Sequence, residues 1–125
     1  MPFIEVSMQV GKPAPYREAI MDSLYEAMRE TLNIPEGDHF IVLNECDPTN
    51  FRYGPAFGVN RSDELLYIRM TVFNTRTQAE KTALFRSIAS HLGRSPGVAS
   101  ENVFVVLLES AKENWSVGHG IAQFV

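Results

Sequence analysis

Slid along itself by 64 positions, the chain matches without a gap: Ile4 falls on Ile68, Ala19 on Ala83, Ser23 on Ser87, Phe40 on Phe104, Val42 on Val106, Leu43 on Leu107 and Glu45 on Glu109. The apolar helix positions follow, with Ile20, Leu24 and Met28 falling on Leu84, Ile88 and Leu92. Shared hydrophobicity alone would not hold one register across three successive elements, so the chain reads as a duplicated unit. The halves are about 2–46 and 66–110, within a single domain of residues 1–125.

Each half reads as strand, helix, strand. In the first, "FIEVSMQV" alternates apolar and polar residues on the period of a half-buried strand. "GKPAP" ends it, and Pro15 suits the first position of a helix whose apolar Ile20, Leu24, Ala27, Met28 and Leu32 recur at intervals of three and four. "DHFIVLNE" is the second strand. In the second half, "ELLYIRMTVFN" is a strand, Thr77 and Glu80 form a capping box that opens a helix, Gly93 is the expected C-cap, and "NVFVVLLE" closes the unit. The connection from Asp47 to Asp63 is rich in Pro, Gly and Asn, and its length calls for a function or local structure. The glycine-broken tail "WSVGHGIAQF" is expected to form a short hairpin.

A strand–helix–strand unit needs a right-handed crossover between parallel strands. Two such units related by a pseudo-dyad predict an α+β fold, a four-stranded mixed sheet with both helices on one face. The runs "IVL" and "VFVVLL" leave the opposite face too apolar to meet water. Several copies are therefore expected to pack their sheets together around a closed axis.

Composition narrows the function classes. The 125 residues are 45% hydrophobic and 21% charged, as in an ordinary globular domain. A net charge of -4 with no basic run argues against a nucleic-acid partner. The single cysteine, Cys46, excludes an internal disulfide, and no apolar stretch reaches membrane-spanning length or follows a basic start. A cytoplasmic protein without membrane contact is the expectation. His39, His91 and Cys46 lack ligand spacing, so no metal site is expected, with His91 read as solvated helix surface and Cys46 as strand-end packing.

The repeat isolates Pro2. Its counterpart is Leu66, an ordinary strand residue, so the fold does not demand proline there. Removal of Met1 would leave a secondary amine, and an α-amino group has an unperturbed pKa of about 8 that burial or a neighbouring cation lowers toward neutrality. That is a general base poised for use.

"MPFIEV" at the start, "GD" before the second strand, "NTRT" before the second helix and "ENWSVGHGIAQF" at the end together resemble the tautomerase superfamily, in particular its malonate semialdehyde decarboxylase branch. The resemblance spans nearly the whole chain and implies duplicated βαβ units, a homotrimer, no cofactor and catalysis by an amino-terminal proline. It matches Pro2 to that proline, Asp38 to an aspartate that orients or activates water, and Arg76 to an arginine that binds the substrate carboxylate. Trp115 and Phe124 match positions that wall the pocket. Asn74 stands where the decarboxylase prototype has a second arginine, and His119 where it has another, both on the substrate side. The resemblance therefore implies a proline enzyme acting on a small 2-oxo or 3-oxo acid. Keto-enol tautomerisation with Pro2 as base is the first expectation, and decarboxylation or hydration with protonated Pro2 and an Asp38-activated water the alternative. A non-catalytic, ferredoxin-like ligand-binding module, in which Pro2 is incidental, is the rival class.

Overall fold

The computed structural model describes residues 1–125. Six main elements follow one another: β1 (Phe3–Gln9), α1 (Ala14–Leu32), β2 (Phe40–Cys46), β3 (Leu66–Phe73), α2 (Gln78–Arg94) and β4 (Val103–Ser110). They build one sheet of order β2-β1-β3-β4. β1 runs parallel to β2 and β3 parallel to β4, while the central pair β1 and β3 is antiparallel. Phe3 sits opposite Phe40, and Tyr67 opposite Phe104, so the second unit repeats the pairing of the first moved by 64 positions on both strands.

The alternation seen in the strands decides which face the helices cover. Ile4, Val6 and Met8 of β1 and Leu66, Ile68, Met70 and Val72 of β3 point to one side and are buried. They meet Ile20, Leu24, Ala27 and Met28 of α1 and Leu84, Ile88 and Leu92 of α2. On the other side Phe3, Phe40, Val42, Phe104, Val106 and Leu108 remain between 37% and 52% exposed. Exposed apolar side chains grouped on one sheet face mark an interaction surface. No helix is long and apolar enough to cross a membrane.

Both bonds of the capping box at α2 are present: the Thr77 side chain accepts from the Glu80 amide, and the Glu80 carboxylate accepts from the Thr77 amide. Thr77→Ala removes one of the two bonds and is expected to lower unfolding stability by about 1 kcal/mol, measured as a shift of the urea midpoint at constant slope. Pro15 occupies the second helical position rather than the first, because Pro13 is the N-cap of α1.

Three expectations are corrected. Gly93 is not the C-cap: α2 runs through it to Arg94, Ser95 caps the helix by donating its amide to the His91 carbonyl, and the glycine in the left-handed region is Gly97, at φ 101°. The Gly97 and Val98 amides both donate to the Leu92 carbonyl, so the chain turns four residues later than the glycine pattern predicts. The tail is not a strand hairpin. It reverses through positive φ at Gly118, His119 and Gly120, and the Gln123 side chain, instead of a backbone ladder, ties its two limbs. His91 is not solvated helix surface either; its Nε2 lies 2.7 Å from Glu30 of α1, and Arg94 donates to its Nδ1. The long connection after β2 does hold local structure: Arg61 donates to the carbonyls of Gly54 and Ala56, and Tyr53 to Asp63.

Candidate active site

The topology brings three chain positions to one edge of the sheet. β1 begins there, its parallel neighbour β2 begins there, and β3, antiparallel to both, ends there. Pro2, Asp38 and Arg76, far apart in sequence, are the residues found at those three places.

The chain's amino terminus enters this edge buried. The Met1 ammonium lies 3.3 Å from Asp38 Oδ2, and Pro2 behind it is buried. Asp38 is only 9% exposed, and its second oxygen, Oδ1, is buried without a hydrogen-bond partner. A carboxylate so placed holds a cationic amine nearby at the cost of its own desolvation.

Arg76 precedes α2, where the helix dipole disfavours a cation. What offsets this is the end of the other helix. Its Nη1 donates to the Leu32 carbonyl at 2.7 Å, among the unpaired carbonyls that close α1, and to Glu80 Oε2 at 3.2 Å. Glu80 thus serves two neighbours. The Thr77 amide first, and then Arg76, hold its carboxyl below the usual carboxylate range.

A closed crevice lies between the amine and the guanidinium, lined by Met1, Pro2 and Arg76 with the apolar Leu32, Ile34, Val72 and Phe73. Trp115 and Phe124 stand one layer back, meeting the Phe73 ring edge-on at centroid distances of 5.6 and 5.0 Å. They brace the wall but do not line this cleft. The Trp115 indole N–H is buried and unpaired. Asn74 is exposed and ties its backbone amide to the Ser110 carbonyl, at the end of β4. His119 lies exposed in the tail reversal, and no contact joins it to Pro2, Asp38 or Arg76. Sequence reasoning overlooked Leu32, Ile34, Val72, Phe73 and Glu80. The one local signal was Glu80 itself, in the first turn of the helix that Arg76 precedes.

The pseudo-dyad generates a second cleft at the opposite end of β1, about 240 Å³ in volume and lined by Met8, Gln9, Lys12, Tyr16, Asp63 and Glu64. Met8, Gln9 and Lys12 are the repeat counterparts of Val72, Phe73 and Arg76. Here, however, Leu66 replaces Pro2, Lys12 is paired with Glu64, and Asn102, the counterpart of Asp38, is bonded to Ser62. One cleft per chain carries an amine, a carboxylate and an available guanidinium.

The chain resembles known proteins in sequence and in fold. A family model described as "Tautomerase enzyme" matches residues 38–118. "Probable tautomerase YusQ" of Bacillus subtilis (strain 168) is 36% identical over 126 residues, covering 100% of this chain and 99% of that protein. Among solved structures, FG41 malonate semialdehyde decarboxylase inhibited by 3-bromopropiolate superposes with a TM-score of 0.92 at 31% identity, over 98% of this chain and 93% of the other. A fused 4-OT wild-type symmetric trimer shares the fold, with a TM-score of 0.81 at 20% identity over 98% and 97% of the two chains. By sequence and by fold, the chain belongs to the tautomerase family.

Proposed function

We propose that the protein, once Met1 is removed, is a cofactor-independent tautomerase that uses the Pro2 amine as general base on the enol of a small 2-oxo acid. The observation that carries this reading is the burial of the amino terminus in a cleft that Arg76 also lines, with Asp38 3.3 Å from the terminal nitrogen. A neutral secondary amine at Pro2 takes the enol hydroxyl proton, and the resulting ammonium returns a proton to the adjacent carbon, so the enol becomes the ketone with no net gain or loss. Arg76 holds the substrate carboxylate through its planar guanidinium. Phe73, braced by Trp115 and Phe124, excludes water from one side.

Burial and Arg76 favour the neutral amine; Asp38 favours the protonated one. A second reading follows from Asp38 and from the 31% identical decarboxylase. In it Pro2 stays protonated and polarises the carbonyl of malonate semialdehyde, while Asp38 activates a water. The two are separated by giving the processed protein, its mass verified, phenylpyruvate enol and malonate semialdehyde side by side. Enol turnover with a pH limb below the ordinary α-amino value supports the tautomerase, and aldehyde turnover with a limb above it supports the decarboxylase. Failure with both substrates defeats the two together.

The assembly that fits is a homotrimer. The apolar sheet face opposite the helices needs cover, and fused 4-OT, which shares this fold, is a trimer. Light scattering at micromolar concentration is expected to give three chains per particle; a stable monomer would contradict the arrangement.

A further inference from the structure

Both of Arg76's hydrogen bonds within the chain come from Nη1, one to the Leu32 carbonyl and one to Glu80. The Nε and Nη2 edge is left for a ligand, and one such edge matches one carboxylate in a parallel pair of bonds. Arg76 is also the only cationic side chain that lines the cleft. Lys112 lies over the Phe73 ring at 5.7 Å but is not among the lining residues. Two anions stand just behind the lining residues, Asp38 against the amine and Glu80 against the guanidinium.

We propose that Glu80 is a specificity-determining residue: by occupying Nη1 and holding a negative charge beside it, Glu80 makes the cleft a site for acids with one carboxylate and turns away acids that carry a second. This rests on Arg76 being the carboxylate anchor. A first carboxylate on the free edge takes two of the three remaining donors of Arg76 and its unshared charge, and a second one entering beside it would meet Glu80 or Asp38 with no other cation lining the cleft. The depressed pKa of Glu80 keeps that repulsion in force through neutral and mildly acidic pH.

The test compares three enols on the processed protein: phenylpyruvate, its para-carboxylate derivative, and the para-carboxamide, which matches the second in shape but adds no charge. Wild type is expected to favour the carboxamide over the carboxylate by about tenfold in kcat/KM, the scale of one like-charge contact at a partly exposed site. Glu80→Gln should shrink that ratio to about twofold, since one of the two repelling charges is gone. Glutamine is accepted at this position of a capping box, so the helix start survives, and a thermal scan verifies it. Glu80→Asp, which keeps the charge, should retain the discrimination.

Because the readout is a ratio, it does not depend on which way the absolute rates move. A ratio near one in wild type, or one unmoved by Glu80→Gln, overturns the proposal while Arg76 stays the anchor. If Arg76→Ala leaves all three substrates untouched, the anchor itself is wrong and this inference falls with it.

Discussion

Protein that keeps Met1 is expected to leave phenylpyruvate enol at its uncatalysed rate, whereas the same chain beginning at Pro2 is expected to convert it rapidly. The difference is chemical. With Met1 in place the Pro2 nitrogen is an amide, which neither takes nor gives a proton near neutral pH, and removing the peptide bond turns it into a secondary amine. General base catalysis contributes about 10²- to 10⁴-fold, so the loss should be of that order or complete. Geometry gives a second reason. Met1 itself lines the cleft and its ammonium is the group now beside Asp38, so retention both blocks the base and fills the substrate's place. The measurement is ketonisation followed by absorbance on two preparations whose intact masses differ by one methionine. Equal activity would remove Pro2 from the mechanism. Pro2→Ala is the weaker test, since after processing it still presents a primary amine.

What the sequence made legible, and what it did not, follows from how far apart the interacting groups lie. Hydrophobic alternation in "FIEVSMQV" and helical spacing from Ile20 to Leu32 are local patterns, and the elements formed where those patterns lie. The repeat supplied the long-range part, because two copies of one unit leave few ways to arrange four strands. The single-residue expectations that failed depended on distant partners. His91 reads as surface until Glu30, 61 residues away, is placed beside it by the packing of α1 against α2. Gly93 reads as a cap until Gly97 and Val98 are seen to close the turn on Leu92. The same holds for the site. Pro2 stands out from the repeat and Asp38 and Arg76 from the resemblance, but Glu80's hold on Arg76 and the Leu32 carbonyl's share in it arise only when the end of α1 meets the start of α2.

Arg76→Ala is expected to lower kcat/KM for carboxylate substrates by about 2 to 4 kcal/mol, roughly 30- to 1000-fold, if the ion pair is desolvated in the transition state. The side chain is 23% exposed, so it sits where water is partly excluded but a ligand still has access. Two other consequences have to be separated from this one. The variant also abandons the Leu32 carbonyl and Glu80, and that structural part should appear as a small loss of unfolding stability, since a solvent-screened ion pair contributes little. The catalytic part should appear with carboxylate substrates and largely vanish with a neutral ester of the same enol, which never used the guanidinium. Arg76→Lys sharpens the distinction. Lysine restores the charge but offers a point rather than a planar fork, so it should recover part of the rate for the acid and none of the two-pronged geometry. A variant that folds, melts close to wild type and handles acid and ester equally well would show that the carboxylate is bound elsewhere. A loss confined to the acid, mostly in KM when binding is uniform and in kcat when the contact tightens at the transition state, would assign Arg76 its role and say at which stage it acts.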